Sequence, residues 1–124
     1  TVKIFNIARS DKNDVITEVF KSKAILLGSP TINKRFLSSI ALIIDLMAGL
    51  KFKNKKAAAF GCYGWSGEAV KLMNEGLAEA GFAVLGDGLK NLWEPGEKQL
   101  AQAYAFGEAF SSLRKQERSA NETD

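Results

Sequence analysis

The side chains that usually carry enzyme chemistry are scarce in this chain. There is no histidine and only one cysteine among 124 residues. Ser-His-Asp and Cys-His catalysis are therefore excluded. So are an iron centre built on histidines with carboxylates and one built on four cysteines. What stands out by type and spacing is Phe60-Gly61-Cys62-Tyr63-Gly64-Trp65-Ser66-Gly67. Three glycines there let the backbone turn sharply and approach a ligand closely. Tyr63 and Trp65 offer flat faces to a planar ligand, and Ser66 can cap a following helix. Two readings are open from spacing alone: a ligand loop, or a glycine-rich turn with two surface aromatics.

The flanks place this stretch. Lys55-Lys56-Ala57-Ala58-Ala59 precedes it as a small apolar run, read as a buried strand, and Glu68 to Met73 follows with helical spacing. A strand-to-helix loop at the carboxyl end of a parallel strand is where open α/β sheets bind ligands. A second such loop lies upstream. Ala24-Ile25-Leu26-Leu27 reads as a strand, and Gly28-Ser29-Pro30-Thr31-Ile32-Asn33 leads from it into a helix. The two loops are roughly thirty residues apart, the length of one strand–helix unit.

Together these two loop texts resemble the flavodoxin-like domain of the A-type flavoproteins, the flavodiiron proteins and flavorubredoxins. The likeness runs from Val2-Lys3-Ile4-Phe5-Asn6 and Ser10-Asp11-Lys12-Asn13-Asp14 through Trp93-Glu94-Pro95, nearly the whole chain except its tail. It implies that both loops wrap the ring and ribityl chain of FMN. Ser29, Pro30, Thr31, Ile32 and Asn33 come from the first loop; Gly61, Cys62, Tyr63, Gly64, Trp65 and Ser66 come from the second. Thr31 and Asn33 are candidates to bond flavin or ribityl oxygens, or else to cap the next helix. Trp65 either flanks the ring or packs within its loop. Cys62 stands where the family more often has serine and reads as a passive substitution. Arg9 and Lys34 are either phosphate contacts or solvated charges. The implied function is an FMN electron-transfer module of an oxidoreductase. Its partner is a redox protein or a diiron or rubredoxin domain, since this chain has the residues for neither centre. The competing functions are a degenerate domain that kept the loops without the cofactor, and a quinone or azo reductase of the same fold.

The remaining sequence predicts the elements that position these loops. Val2 to Ile7 reads as a strand. Ser10 reads as the cap of a helix over Asp11–Phe20 with Val15, Ile16, Val19 and Phe20 as its apolar stripe. Phe36, Leu37, Ile40, Ile43, Ile44 and Met47 mark a helix over Arg35–Leu50. A third strand spans Lys56–Phe60, and a helix spans Gly67–Ala80. Phe82 to Leu85 starts a fourth strand, which Gly86-Asp87-Gly88 interrupts before Leu89 to Trp93 resumes it. The last helix is placed over Leu100–Leu113, with Ala103, Tyr104, Phe106, Ala109 and Phe110 inward. This alternation is an α/β fold with a parallel sheet, a flavodoxin-like three-layer sandwich by the resemblance. One domain is expected over residues 1–113, with a polar, disordered tail over 114–124.

By the same resemblance Val2–Ile7 matches the second strand of the order 2-1-3-4-5. The first strand, its phosphate loop and first helix then have no counterpart, and the domain is expected to be truncated. Right-handed crossovers would put the first three helices on one face, leaving the other face partly bare. Self-association, or complementation by the missing N-terminal segment, is the expected remedy. A net charge of +3 with a mixed charge distribution argues against a nucleic-acid partner. No run approaches the ~18 apolar residues of a membrane span, so no membrane is expected. A lone cysteine fits a reducing compartment, and a cytoplasmic location is the default expectation.

Overall fold

The structure is a computed structural model that describes the backbone of residues 1–122 and the side chains of residues 1–113. Its elements in chain order are α1 (Lys12–Lys21), β1 (Ala24–Gly28), α2 (Ser38–Leu50), β2 (Lys56–Tyr63), α3 (Ala69–Glu79), β3 (Ala83–Val84), β4 (Leu89–Leu92) and α4 (Glu97–Glu122).

β2 is the centre of the sheet. β1 runs parallel along one edge of it, in register from Ala24 opposite Lys56 to Gly28 opposite Phe60. β3 and β4 share its other edge in succession. β3 lies against Lys56 and Ala57, and β4 against Phe60 to Tyr63. They are two halves of one interrupted strand, as the sequence predicts. The excursion between them turns on Gly86 and Gly88, both at positive φ. Gly88 also lies so close to the Ala59 carbonyl and the Val70 side chain that a Cβ has no room. The Asn74 side-chain amide donates to the Asp87 carbonyl at 3.0 Å and holds the excursion in place.

The core lies on the helix-covered face of the sheet. Ala57 and Ala59 are completely buried there, and their small side chains let the helices approach closely. α1 contributes Val15 and Val19. α2 contributes Ile40, Ile43, Ile44 and Met47, and α3 contributes Ala69, Val70, Met73 and Leu77. α1 packs on α2, and α2 on α3. Gly76 of α3 faces Ile44 where the last two cross. Below the strands' starting ends, Phe20 meets Phe52 edge-on at 4.7 Å, and Phe52 leans on Phe82 at 6.1 Å.

Three expectations are corrected. Val2–Ile7 is not a strand. It joins no ladder, and Val2 and Ile4 are 86% and 91% exposed. A β-strand needs a neighbour for its backbone groups, and among the described residues none lies beside it. The segment is instead fastened at its ends. The Lys3 ammonium bonds Glu18 of α1 at 3.0 Å, and Asn6 organises a turn by accepting from Arg9 N–H and the Ser10 hydroxyl. The cap of α1 is Asp11, whose carboxylate accepts from Asn13 N–H, and not Ser10. α4 begins at Glu97, and its backbone continues to Glu122. It packs against β4. Phe106 and Phe110 are half-buried, whereas Ala103, Tyr104 and Ala109, expected inward, are exposed. α4 therefore leaves Leu26 and Phe60, on the sheet's second face, 44% and 43% exposed. The side chains of the expected polar tail over 114–124 lie outside the described residues. Among the described residues no helix is long and apolar enough to cross a membrane.

Candidate functional site

The two candidate loops meet at the carboxyl end of β2. That strand extends to Tyr63, three residues beyond its expected end, so Gly61, Cys62 and Tyr63 are strand residues and not loop. They are flanked on both sides. The first loop continues past β1 along one edge of β2: Ser29 N–H donates to the Phe60 carbonyl at 3.1 Å, and Thr31 N–H donates to the Cys62 carbonyl at 2.9 Å. β4 runs along the other edge, and its ladder is carried one residue further by Trp93 N–H donating to the Tyr63 carbonyl at 2.8 Å.

Gly61 makes the first of these approaches possible. A Cβ there would overlap the Ser29 carbonyl oxygen, which is rigid backbone. Ser29 is buried, and its hydroxyl both accepts and donates: it accepts from Leu37 N–H at the start of α2 and donates to the Pro30 carbonyl, both at 2.9 Å. Thr31 reaches across to the other loop, its hydroxyl accepting from Ala69 N–H at the start of α3 at 3.3 Å. That bond does the work expected of Ser66. α3 starts later than predicted, with Glu68 at its cap position and no side-chain cap bond from that residue. Thr31 thus caps a helix, but α3 and not the one that follows it in sequence.

Beyond Thr31 the first loop folds back on itself. Ile32 and Arg35 exchange backbone hydrogen bonds at 2.7 and 2.9 Å. Asn33 and Lys34 between them both have positive φ, the conformation of a two-residue type I′ turn, which asparagine tolerates well. Asn33 is therefore at an exposed tip, with Ile32 exposed beside it. Pro30 is half-buried at the root of the loop.

The aromatics of the second loop diverge. The Tyr63 ring lies over Gly67, where a Cβ would stand 3.1 Å from it, and the Lys90 ammonium sits 5.6 Å from its centroid. Trp65 is 96% exposed. Trp93, which the sequence places only at the end of a strand, packs on Gly64: a Cβ at Gly64 would lie 3.1 Å from the indole. The signal in the sequence was the Trp-Glu-Pro at the end of the interrupted strand. Cys62 is a free, exposed thiol. Lys34 lies at the tip of the first loop and Arg9 in the turn after residues 2–7, both exposed. Among the described residues the one lysine whose ammonium is destabilised by burial, Lys55, is at the opposite end of β2, where it bonds the carbonyls of Phe20 and Ser22.

The architecture is that of an open parallel sheet with two laced loops at its carboxyl end, the arrangement of the flavodoxin-like class. The flavodoxin family matches residues 1–107, and the chain belongs to that family. Its curated relatives point to one branch. It is 50% identical over 94 residues to the anaerobic nitric oxide reductase flavorubredoxin of Klebsiella pneumoniae, covering 76% of this chain and 19% of that one. The flavorubredoxin of Escherichia coli K12 is 48% identical over 99 residues, covering 80% and 20%. The chain thus spans about a fifth of the length of these relatives. Among solved structures, the rubredoxin oxygen:oxidoreductase of Desulfovibrio gigas superposes with a TM-score of 0.88 at 29% identity, over 93% of this chain and 29% of that one. A flavodoxin from the Archaea superposes at 0.77 and 29% identity, over 88% and 74%. This is a flavodoxin-like domain of the A-type flavoprotein kind.

Proposed function

We propose that this chain is the FMN-binding electron-transfer module of an A-type flavoprotein, handing electrons to a metal centre on another domain or chain. The observation that carries this is the lacing of two loops around the end of β2, with Trp65 exposed on one and the Ile32–Asn33 tip exposed on the other. The residues fit the ring end of a flavin. Trp65 supplies a flat apolar face. Ile32 and Pro30 supply apolar edges, and Asn33 supplies a polar group at the tip. Gly61 lets the first loop lie against β2, and Gly64 lets Trp93 pack on the turn. Ser29, Cys62 and Tyr63 act from behind. Ser29 orders the first loop through its buried hydroxyl, and Cys62 accepts Thr31 N–H through its backbone. The packed Tyr63 ring braces the turn, and Ser66, half-buried, follows Trp65. When bound, the flavin supplies the exchange between two-electron donors and one-electron acceptors. The protein's part is to hold the ring, exclude water from one face and aim backbone N–H groups at its edge.

The phosphate end draws on other groups. FMN phosphate favours the free N–H groups of a helix start. Here one N–H at the start of each helix, that of Leu37 before α2 and that of Ala69 in α3, is already bonded, by the hydroxyls of Ser29 and Thr31. In the order 2-1-3-4-5, β1 and β2 stand as the third and fourth strands, and the position beside the outer edge of β1 belongs to the first. A parallel strand seated there, with the loop and helix that follow it, supplies the phosphate cradle and covers Leu26 and Phe60. The same polypeptide or a separate one can provide it. The named relatives suggest nitric oxide or oxygen as the terminal acceptor of the whole assembly, and a reducing cytoplasmic setting suits it.

Purified chain, acid-extracted and separated by chromatography, is expected to yield FMN. The apoprotein is expected to quench FMN fluorescence on titration, more tightly when a peptide of the first strand, loop and helix is added. Chiefly FAD in the extract, or no quenching with or without that peptide, overturns the proposal.

A further inference from the structure

Trp93 is the largest side chain of the chain's described residues held at positive φ (60°). For a bulky residue this is a true outlier, and such strain persists only where the surroundings fix it. They do so here from both sides. Its N–H donates to the Tyr63 carbonyl at 2.8 Å, and its carbonyl accepts from the Asn91 side-chain amide at 2.9 Å. Glycine or asparagine would satisfy the same two bonds with less strain. The indole is also 69% exposed, so burial does not account for a tryptophan at this position. What the strained backbone achieves is to lay the indole against Gly64, the residue between Tyr63 and Trp65.

We infer that Trp93 is a positioning residue for the Tyr63–Ser66 turn. Its ring backs Gly64 and so fixes where Trp65 projects. The inference rests on the reading of that turn as flavin-facing for its functional meaning, but the geometry it asserts stands independently. Three contacts act in series. The Asn91 amide holds the Trp93 backbone, the Trp93 ring holds Gly64, and Tyr63, anchored by the Trp93 N–H, closes the circuit. A Cβ at Gly64 would stand 3.1 Å from the indole, so the ring would have to give by a few tenths of an ångström to admit one.

Two substitutions in the full chain separate this from a structural role. Trp93→Gly removes the ring and also relieves the backbone strain, so thermal stability should stay level or rise. Hydrogen exchange of the segment 63–67 should nevertheless speed up by roughly five-fold or more, as local opening becomes easier. FMN affinity should weaken by about ten-fold. Trp93→Phe keeps a ring against Gly64 and should restore most of both. Unchanged exchange in Trp93→Gly overturns the inference, whatever the flavin does. Faster exchange with unchanged FMN affinity overturns its functional half. If the wild-type chain and its complemented form bind no FMN, the proposed function fails, and the exchange result alone decides for or against the positioning role.

Discussion

Gly61→Ala is the most informative single change. The new methyl would overlap the Ser29 carbonyl, which cannot rotate aside as a side chain could. The first loop must therefore lift off β2. Two backbone bonds go with it, Ser29 N–H to Phe60 and Thr31 N–H to Cys62. At about 1 kcal/mol net each, plus part of the Ser29 hydroxyl network, the loss is about 2–3 kcal/mol. For a domain of this size about 4 °C accompanies each kcal/mol, so Tm should fall by about 8–12 °C. Gly49→Ala is the matched control. It lies in α2 with open space around its Cβ position, and alanine there should stabilise by up to ~1 kcal/mol through helix propensity. Thermal melts followed by circular dichroism at one protein concentration compare the two with wild type. Hydrogen exchange at residues 29–33 locates the damage. A Gly61→Ala melt within about 2 °C of wild type, at the scale of those bond energies, with protected residues 29–33, would refute the lacing of the loops.

Other outcomes follow from the same geometry. In flavin fluorescence titrations Trp65→Ala should weaken binding more than Cys62→Ser, because a stacked ring contributes roughly 1 kcal/mol beyond its contact area; equal losses remove Trp65 from the site. Gly88→Ala should cost clearly more stability than Gly86→Ala in urea melts, since both have positive φ but only Gly88 also lacks room for a Cβ; equal costs would mean the excursion relaxes freely. The bond from Lys3, then its charge and that of Lys21, hold the Glu18 carboxyl below its ordinary 4.5. Because the folded value is depressed, the tether of residues 2–7 to α1 is present above pH 4.5 and is lost as pH falls through the lowered value. An NMR titration of the Glu18 side chain with its midpoint at or above 4.5 would sink this, and Lys3→Met should raise the midpoint toward that value.

Much of the fold could be read from the chain because its signals were local. Ala57-Ala58-Ala59, a short apolar run ahead of a glycine-rich stretch, read as a buried strand, and Ile40, Ile43, Ile44 and Met47 mark one helix face. Gly86-Asp87-Gly88 announced the break between β3 and β4. The candidate loops were placed at the right strand ends. Their internal wiring was not legible, because it is made of contacts distant in sequence. Nothing local says that Thr31 caps α3, 38 residues on, or that Trp93 lies on Gly64. Ser66 followed by a helical pattern looked like a cap, and the cross-loop bond took that task.

The clearest divergence, at Val2–Ile7, has a physical cause that bears on function. Its residues have the composition of a strand, yet a strand is defined by its neighbour. The free edge of β1 has the opposite problem. Natural sheet edges are blunted by charge, short length or bulges. The far side of this sheet follows that rule: β3 is two residues long, a glycine excursion follows it, and β4 carries Lys90. β1, Ala-Ile-Leu-Leu-Gly, carries no such protection. Among the described residues, a strand-like segment without a strand partner and a sheet edge without protection occur together. A small groove of about 180 Å³ lies where they come together, lined by Phe5–Ala8, Gly28 and the first turn of α2. One intervening parallel strand would satisfy both sides, and at about 4.8 Å per strand it would also carry its following loop to the end of β1, next to Ser29. Sedimentation provides the check. The chain alone should self-associate as concentration rises. A peptide of that strand, loop and helix should return it to a monomer and bring Val2–Ile7 into exchange-protected structure. A concentration-independent monomer with Val2–Ile7 still unprotected after the peptide is added would show that the edge of β1 is closed by some other means.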